Sequence, residues 1–285
     1  MKFLDVKTDY AFKRVFGASG SQPILTSFLN AILEYEGDHA ITDLTIVDPY
    51  QVPVIQGMKD TFVDVKATLA NGKSVIIEMQ VLNVKGFEQR ILYNAAKHYA
   101  SQLKQGEDYT LLNPVIALTF TDFVLFDDHA HHLSRFRLME RDRLVKYSDD
   151  VELIFVELPK FTGTLETLKT IQDKWLYFIK NAGRMDYIPE TLSDPRIKDA
   201  FDRANEAALS AEELETQHKR HDFIVMQRGA LELAEAKGKS IGLEEGVEKG
   251  KLTVARNLLA LMDDAGIARA TGLALERVRD LRRES

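Results

Sequence analysis

Apolar residues recur along this chain at two spacings, and the change from one to the other predicts its elements. Between Asp9 and Phe16, the residues Phe12, Val15 and Phe16 share one helical face, and Gly17 follows as a stop. Residues 22–35 repeat the pattern, with Ile24, Leu25, Phe28, Leu29, Ile32 and Leu33 in one stripe and Pro23 in the first turn, where its missing N–H is harmless. The period then shortens. Ile41–Val47, Thr61–Leu69 and Lys73–Val81 read as strands, and Asn71-Gly72 between the last two is a strong hairpin signal. A longer helix is expected over 86–104, a buried strand over Pro114–Phe120, and further strands over Ser134–Glu140 and Glu152–Leu158, closed by Pro159. From 161 to about 235 the chain is helical in character, with Trp175, Phe178 and Ile179 as a packing cluster. No proline follows Pro195, so the tail from Ala230 is expected to be mostly helical, broken once near Asp263–Gly266.

The hairpin carries the candidate chemistry. If the strands flanking Asn71-Gly72 pair, Asp64 and Glu78 lie near neighbouring strand ends, with Gln80 on the face of Glu78 because side chains repeat every two residues. Two carboxylates and an amide oxygen are ligands for a hard divalent cation such as magnesium, which takes one or two carboxylates and fills its shell with water and phosphate. Two isolated acids at strand ends are more often solvated surface groups.

Composition narrows the classes. With 285 residues and 45% hydrophobic content, the chain can bury a substantial core. No run of eighteen apolar residues and no signal peptide is visible, so a cytoplasmic protein without a membrane partner is expected. The absence of cysteine excludes disulfides, thiolate metal sites and cysteine nucleophiles. A net charge of -7 argues against coating nucleic acid through a global basic field, yet residues 1–104 balance eleven Lys/Arg against eleven Asp/Glu, which leaves room for a local basic groove. There is no glycine-rich phosphate loop, Ser-His-Asp arrangement or dinucleotide fingerprint. His129, His131 and His132 beside Asp127-Asp128 suggest zinc, but no second ligand group stands at a typical zinc spacing; a solvated loop is the plainer reading. Tyr93 and Tyr99 read as core or sheet-facing residues.

In the tail, Ala230, Ala234, Gly238, Gly242, Gly246, Gly250 and Val254 recur every four residues. Each mid-helix glycine is about 0.8–1 kcal/mol less favourable than alanine, so the stripe needs close packing to compensate. Self-association into a homo-oligomer is favoured over a flexible linker. Ile267–Leu281 has the helix, glycine turn, helix pattern of a helix-turn-helix, but residues 251–285 hold only seven Lys/Arg against five Asp/Glu, so a packing hairpin remains an equal alternative.

Several ordered motifs carry a resemblance: Asp9-Tyr-Ala-Phe-Lys13, Asp64, Glu78-Met-Gln80, Arg90-Ile-Leu-Tyr93, Tyr109 with Pro114-Val-Ile116, Ser134-Arg-Phe-Arg-Leu138 and Phe155-Val-Glu-Leu-Pro-Lys160. Over roughly residues 1–230 the chain resembles the recombination-promoting nucleases, often labelled transposases, of the PD-(D/E)XK nuclease superfamily. That resemblance implies an α/β restriction-endonuclease-like core with a mixed central sheet flanked by helices, here over 1–160, followed by a helical extension over 161–229 and the helical tail over 230–285. It also implies magnesium-dependent DNA cleavage linked to recombination. Asp64 and Glu78 would be the metal-binding acids and Asp9 an auxiliary acid, although Asp9 could equally be an N-cap. Gln80 stands where most of the superfamily has lysine. An amide cannot take a proton, so deprotonation would fall to metal-bound water or to a lysine from elsewhere; Lys66, two residues from Asp64 on the same strand face, and Lys13, one turn after Asp9, are the candidate lysines, while Lys59 and Arg90 would meet phosphate or pair with acids. The competing expectation is a catalytically silent DNA-binding or assembly protein. A true transposase would need a separate acidic triad, for which the sequence offers nothing.

Overall fold

The computed structural model describes residues 1–51 and 61–284. Asp9–Phe12 form α1, which runs on as a wider π-type turn over Lys13–Gly17, and Gln22–Leu33 form α2. The periodicity had predicted one continuous helix over 9–16. Then come β1 (Leu44–Val47), β2 (Tyr50–Gln51), β3 (Thr61–Phe62), β4 (Val65–Leu69), β5 (Ser74–Gln80), α3 (Phe87–Ala100), β6 (Val115–Thr121), β7 (Leu133–Met139) and β8 (Lys146–Glu157). The helices α4 (Ile171–Asn181), α5 (Pro195–Ala204), α6 (Ala211–Leu258), α7 (Asp264–Thr271) and α8 (Leu275–Glu284) follow.

One six-stranded sheet, in the order β1-β4-β5-β6-β8-β7, organises the core. β5, β6 and β8 run parallel, while β1/β4, β4/β5 and β7/β8 are antiparallel. Every residue of β6 is buried, as the run Val115–Phe120, apolar but for Thr119, requires of a strand covered on both faces. The apolar stripes of the first two helices explain one cover: Phe12, Phe16, Phe28, Trp175, Phe178 and Phe201 share a cluster with Val75, Ile77 and Phe120 of the sheet. Its rings stack tightly, with Phe16 and Phe28 centroids 4.5 Å apart and Trp175 edge-on to Phe28 at 5.7 Å. α3 covers the other face through Phe87, Ile91 and Ala95 against Val63, Ile76, Val115, Ala117 and Phe155. The result is the mixed, helix-flanked α/β core that the sequence leads one to expect.

Three expected strands change. The predicted strand over 61–69 is interrupted: β3 pairs with β2, the backbone bends at Asp64, and β4 starts at Val65. β8 begins at Lys146 rather than Glu152, because its exposed first half, Lys146–Asp150, pairs with β7 without an apolar pattern to announce it. Ile41 lies outside β1, its backbone N–H and C=O both bonded to the Asn30 side chain.

Contacts divide the chain into two units, Met1–Ile224 and Val225–Ser285. α4 and α5 belong to the first unit and pack in its main core. In the second, Ala255, Ile267, Leu273, Val278 and Leu281 make a small core of their own. Asp263 caps α7 by accepting from the Gly266 N–H, and Gly272 ends it with φ +71°. No helix among the described residues is long and apolar enough to cross a membrane.

The β4–β5 turn fixes the register on which the site depends. Gly72 there has φ +83°, and a Cβ on it would collide with the Asn113 side chain. Gly72→Ala should therefore lower unfolding stability by about 1–3 kcal/mol, read from the midpoint of urea denaturation at unchanged slope.

Candidate active site

β4 and β5 pair Val65 with Ile77, so continuing that register sets Asp64 opposite Glu78. The Asp64 N–H still donates to the Ile77 carbonyl at 3.0 Å. Beyond that bond the bent backbone leaves β5, and the Asp64 Oδ2 accepts from the Met79 N–H at 2.8 Å. A side-chain carboxylate thus holds a strand-edge donor that β4 no longer reaches.

The first helix supplies a cation. Lys13 Nζ lies 3.2 Å from Asp64 Oδ1 and 3.6 Å from Asp9 Oδ2. Asp9 also faces Arg220 Nη1 at 3.6 Å. It is the first residue of α1 rather than its cap; Thr8 holds the cap position without a side-chain bond.

α3 serves Glu78 from the other side. Asn94 Nδ2 donates to Glu78 Oε1 at 2.5 Å, and Arg90 Nη2 lies 3.5 Å from Oε2. Arg90 Nη2 also donates to Gln80 Oε1 at 2.6 Å, while Gln80 Nε2 donates to the Leu82 carbonyl at 2.7 Å. The Gln80 amide oxygen therefore meets a guanidinium, instead of converging with the two carboxylates. Asp9, Asp64, Glu78, Gln80, Arg90 and Asn94 line one open cleft of about 800 Å³, with Phe62, Gln89 and Tyr93.

Burial raises the carboxyl of Asp64 above its ordinary range, against the opposing pull of the Met79 N–H and Lys13, and the charge of Asp9 adds to the rise. Burial likewise raises Glu78, opposed by the Asn94 hydrogen bond and Arg90 and reinforced by the charge of Asp64. Two desolvated acids side by side favour either a proton or a cation. Asn94 adds an observation of its own: it is buried to 1% exposure, and its Oδ1 has no partner in the structure. Two facing carboxylates with a buried acceptor beside them fit a magnesium-type ion, which keeps several waters and uses few protein ligands. Among the described residues, no group of three or more His, Asp or Glu side chains converges as a fuller metal cage would.

The other sequence candidates lie apart. Lys66 is half buried; burial lowers its ammonium pKa, and the charge acting back on it is that of Asp48, while Asp64 feels Lys13 and Asp9. It lies on the α3 side of the sheet near His98, whose imidazole is pushed down to about 4 by burial and by Lys66. Lys59 falls outside the described residues. His129 bonds Ser134 Oγ at 3.3 Å and stacks on Phe126, His132 meets Phe161 edge-on, and the three histidines gather no ligand set. Tyr99 packs against the α3-side core, whereas Tyr93 lines the cleft. Sequence reasoning missed Asn94. Its signal was available: it follows Arg90 by four residues and so shares that helix face.

Glu78→Gln removes the desolvated charge and brings an amide donor to the side of Asn94. The folded carboxyl is raised, so its destabilising effect is absent at acid pH and grows as pH rises through the folded value. In chelator, the variant should melt above the wild type at neutral pH, with the gap closing on acidification, as read by thermal denaturation across a pH series.

Residues 6–234 fit the family described as PD-(D/E)XK nuclease family transposase, which takes in the six-stranded sheet, its covering helices and every residue of the cleft. No curated protein and no solved structure is matched. The match spans well over half of the chain, and on it the protein belongs to the PD-(D/E)XK nuclease family, with a restriction-endonuclease-like α/β core and a nuclease-like function.

Proposed function

We propose that this protein is a magnesium-dependent DNA endonuclease that hydrolyses phosphodiester bonds in the service of recombination. The observation that carries the reading is the facing pair Asp64 and Glu78, both desolvated and both open to one cleft. Elsewhere the same fold buries an acid and closes its shell: Glu157 is fully buried, with bonds from the Leu125 and Phe126 N–H groups and from Lys160 Nζ. The cleft pair keeps charge and access together, an arrangement that structural stability alone does not call for.

In this reading Asp64 and Glu78 hold the ion and Asp9 stands behind them, tied to Lys13. When bound, a divalent cation supplies a water of lowered pKa and Lewis-acid stabilisation of the phosphoryl oxygens. The Met79 N–H and Asn94 fix the carboxylate orientations. Among the described residues Lys13 is the ammonium nearest the reacting region, 3.2 Å from Asp64, and can take the part of the superfamily lysine missing at position 80. Arg90, with 42% of its side chain exposed at the cleft, is placed to meet a backbone phosphate. Supercoiled plasmid incubated with magnesium should be nicked or linearised by the wild type. Asp64→Ala should cut about a thousandfold more slowly or less. Equal cutting by both chains, or none by the wild type with any divalent ion, would reject the assignment.

We further infer that the chain works as a homo-oligomer through its tail. Gly238, Gly242, Gly246 and Gly250 on α6 have nothing within 4 Å of the place a Cβ would take, and in this reading a second chain supplies the close packing that offsets their low helix propensity. Light scattering at micromolar concentration should give a mass above that of one chain, reduced by deletion of residues 236–285. An unchanged monomer in both would reject it.

A further inference from the structure

Gln80 is the odd residue of the cleft, a neutral amide on a strand that ends among charges. Both of its polar ends are engaged. Nε2 donates to the Leu82 carbonyl of its own chain segment, which fixes the amide plane and turns Oε1 toward α3. Oε1 then takes the shortest contact that Arg90 makes, at 2.6 Å. The guanidinium is held from a second direction by Phe87, whose ring centroid lies 5.4 Å from Arg90 Cζ. Its distance to Glu78 Oε2, 3.5 Å, is longer than a good charge-assisted bond.

The two cations described beside the acids, Lys13 and Arg90, are therefore used differently. Lys13 lies between two carboxylates, Asp9 and Asp64, which answer its charge. Arg90 is anchored mainly by a neutral oxygen, which directs it without adding charge, and the Glu78 carboxylate at 3.5 Å pairs with it only loosely. A glutamate at position 80 would cancel that charge, and a lysine would repel it. Arg90 also presents several N–H donors in a fixed fork, of which Nη2 alone meets Gln80 and Glu78.

We propose that Gln80 is a positioning residue that acts through Arg90, directing a guanidinium only loosely paired with Glu78 toward the cleft as the receptor for a phosphate oxygen of the bound strand. The assignment rests on the nuclease reading and gives Gln80 a task that needs no proton transfer. It also divides labour on α3: Asn94 orients Glu78, while Arg90, one turn earlier, serves the polyanion.

The test is a double-mutant cycle on the full chain, using a short fluorescein-labelled DNA duplex, calcium in place of magnesium, and anisotropy over a salt series. Arg90→Ala should weaken binding on the order of tenfold and lower the log–log salt slope by about one, as the loss of one phosphate contact requires. Arg90→Lys, which keeps the charge, should retain the slope. Gln80→Ala should weaken binding in the wild-type background and change nothing further in the Arg90→Ala background. Asn94→Ala should leave the salt slope alone and lower calcium affinity in calorimetry without DNA. Independent, additive effects of the Gln80 and Arg90 substitutions would overturn the positioning role. A wild type that binds no duplex would overturn the nuclease reading together with this assignment. A wild type that binds DNA and cuts it with magnesium, while Arg90→Ala keeps full affinity and the full slope, would overturn this assignment alone.

Discussion

Two carboxylates that are brought together out of water repel each other and resist ionisation, and the architecture around Asp64 and Glu78 is arranged to manage that penalty. The strand register sets them opposite each other, and nothing in the hairpin itself answers their charge beyond the Met79 N–H. Answering groups come from helices on two sides: Lys13 from the turn after α1, Arg90 and Asn94 from α3. The sheet must therefore be covered on both faces before the acids can coexist. The aromatic cluster around Phe16, Phe28 and Trp175 positions the first helix, and Phe87, Ile91 and Ala95 position α3. Hydrophobic packing and site electrostatics are in this sense one problem.

The break at Asp64 shows how local irregularity becomes function. A regular strand through 61–69 would have carried the ladder past Met79 and left Asp64 as one alternating side chain among others. The bend frees its carboxylate to take the Met79 N–H with one oxygen and Lys13 with the other. Glu78, still within β5, has both oxygens facing α3. The two acids thus have different restraints, a backbone donor and a lysine ammonium for one, an amide and a guanidinium for the other. In the proposed nuclease reading, that asymmetry lets both acids hold the ion while the Arg90 side also meets the nucleic-acid backbone.

Much of this was legible in the residues. The Asn-Gly turn and the β-branched runs on either side announced the hairpin, and with it the opposition of Asp64 and Glu78. The stripes of residues 9–16 and 22–35 announced the helices that cover the sheet, and the run at 115–120, apolar but for Thr119, announced a central strand. Other features left no trace in periodicity. The first half of β8 is polar and exposed, so it was invisible until β7 paired with it. Lys66 shares a strand with Asp64 and looked equivalent to Lys13 from spacing alone, yet it turns toward Asp48 and His98. Gln80 looked like a third oxygen ligand, yet its oxygen is taken by Arg90.

The sequence by itself determined what depends on near neighbours: turn chemistry, side-chain period, helix stripes, and through them the pairing of the two acids. These are set by steric and hydrogen-bond preferences acting over a few residues, so they survive without knowledge of the fold. The tertiary structure alone decided which cations answer those acids and which way the Gln80 amide points. Lys13, Arg90 and Asn94 reach the cleft only because two helices, each placed by its own apolar face, dock on opposite sides of one sheet. The choice among equally spaced polar side chains was made by that docking, since burial and charge act through space and take no account of distance along the chain.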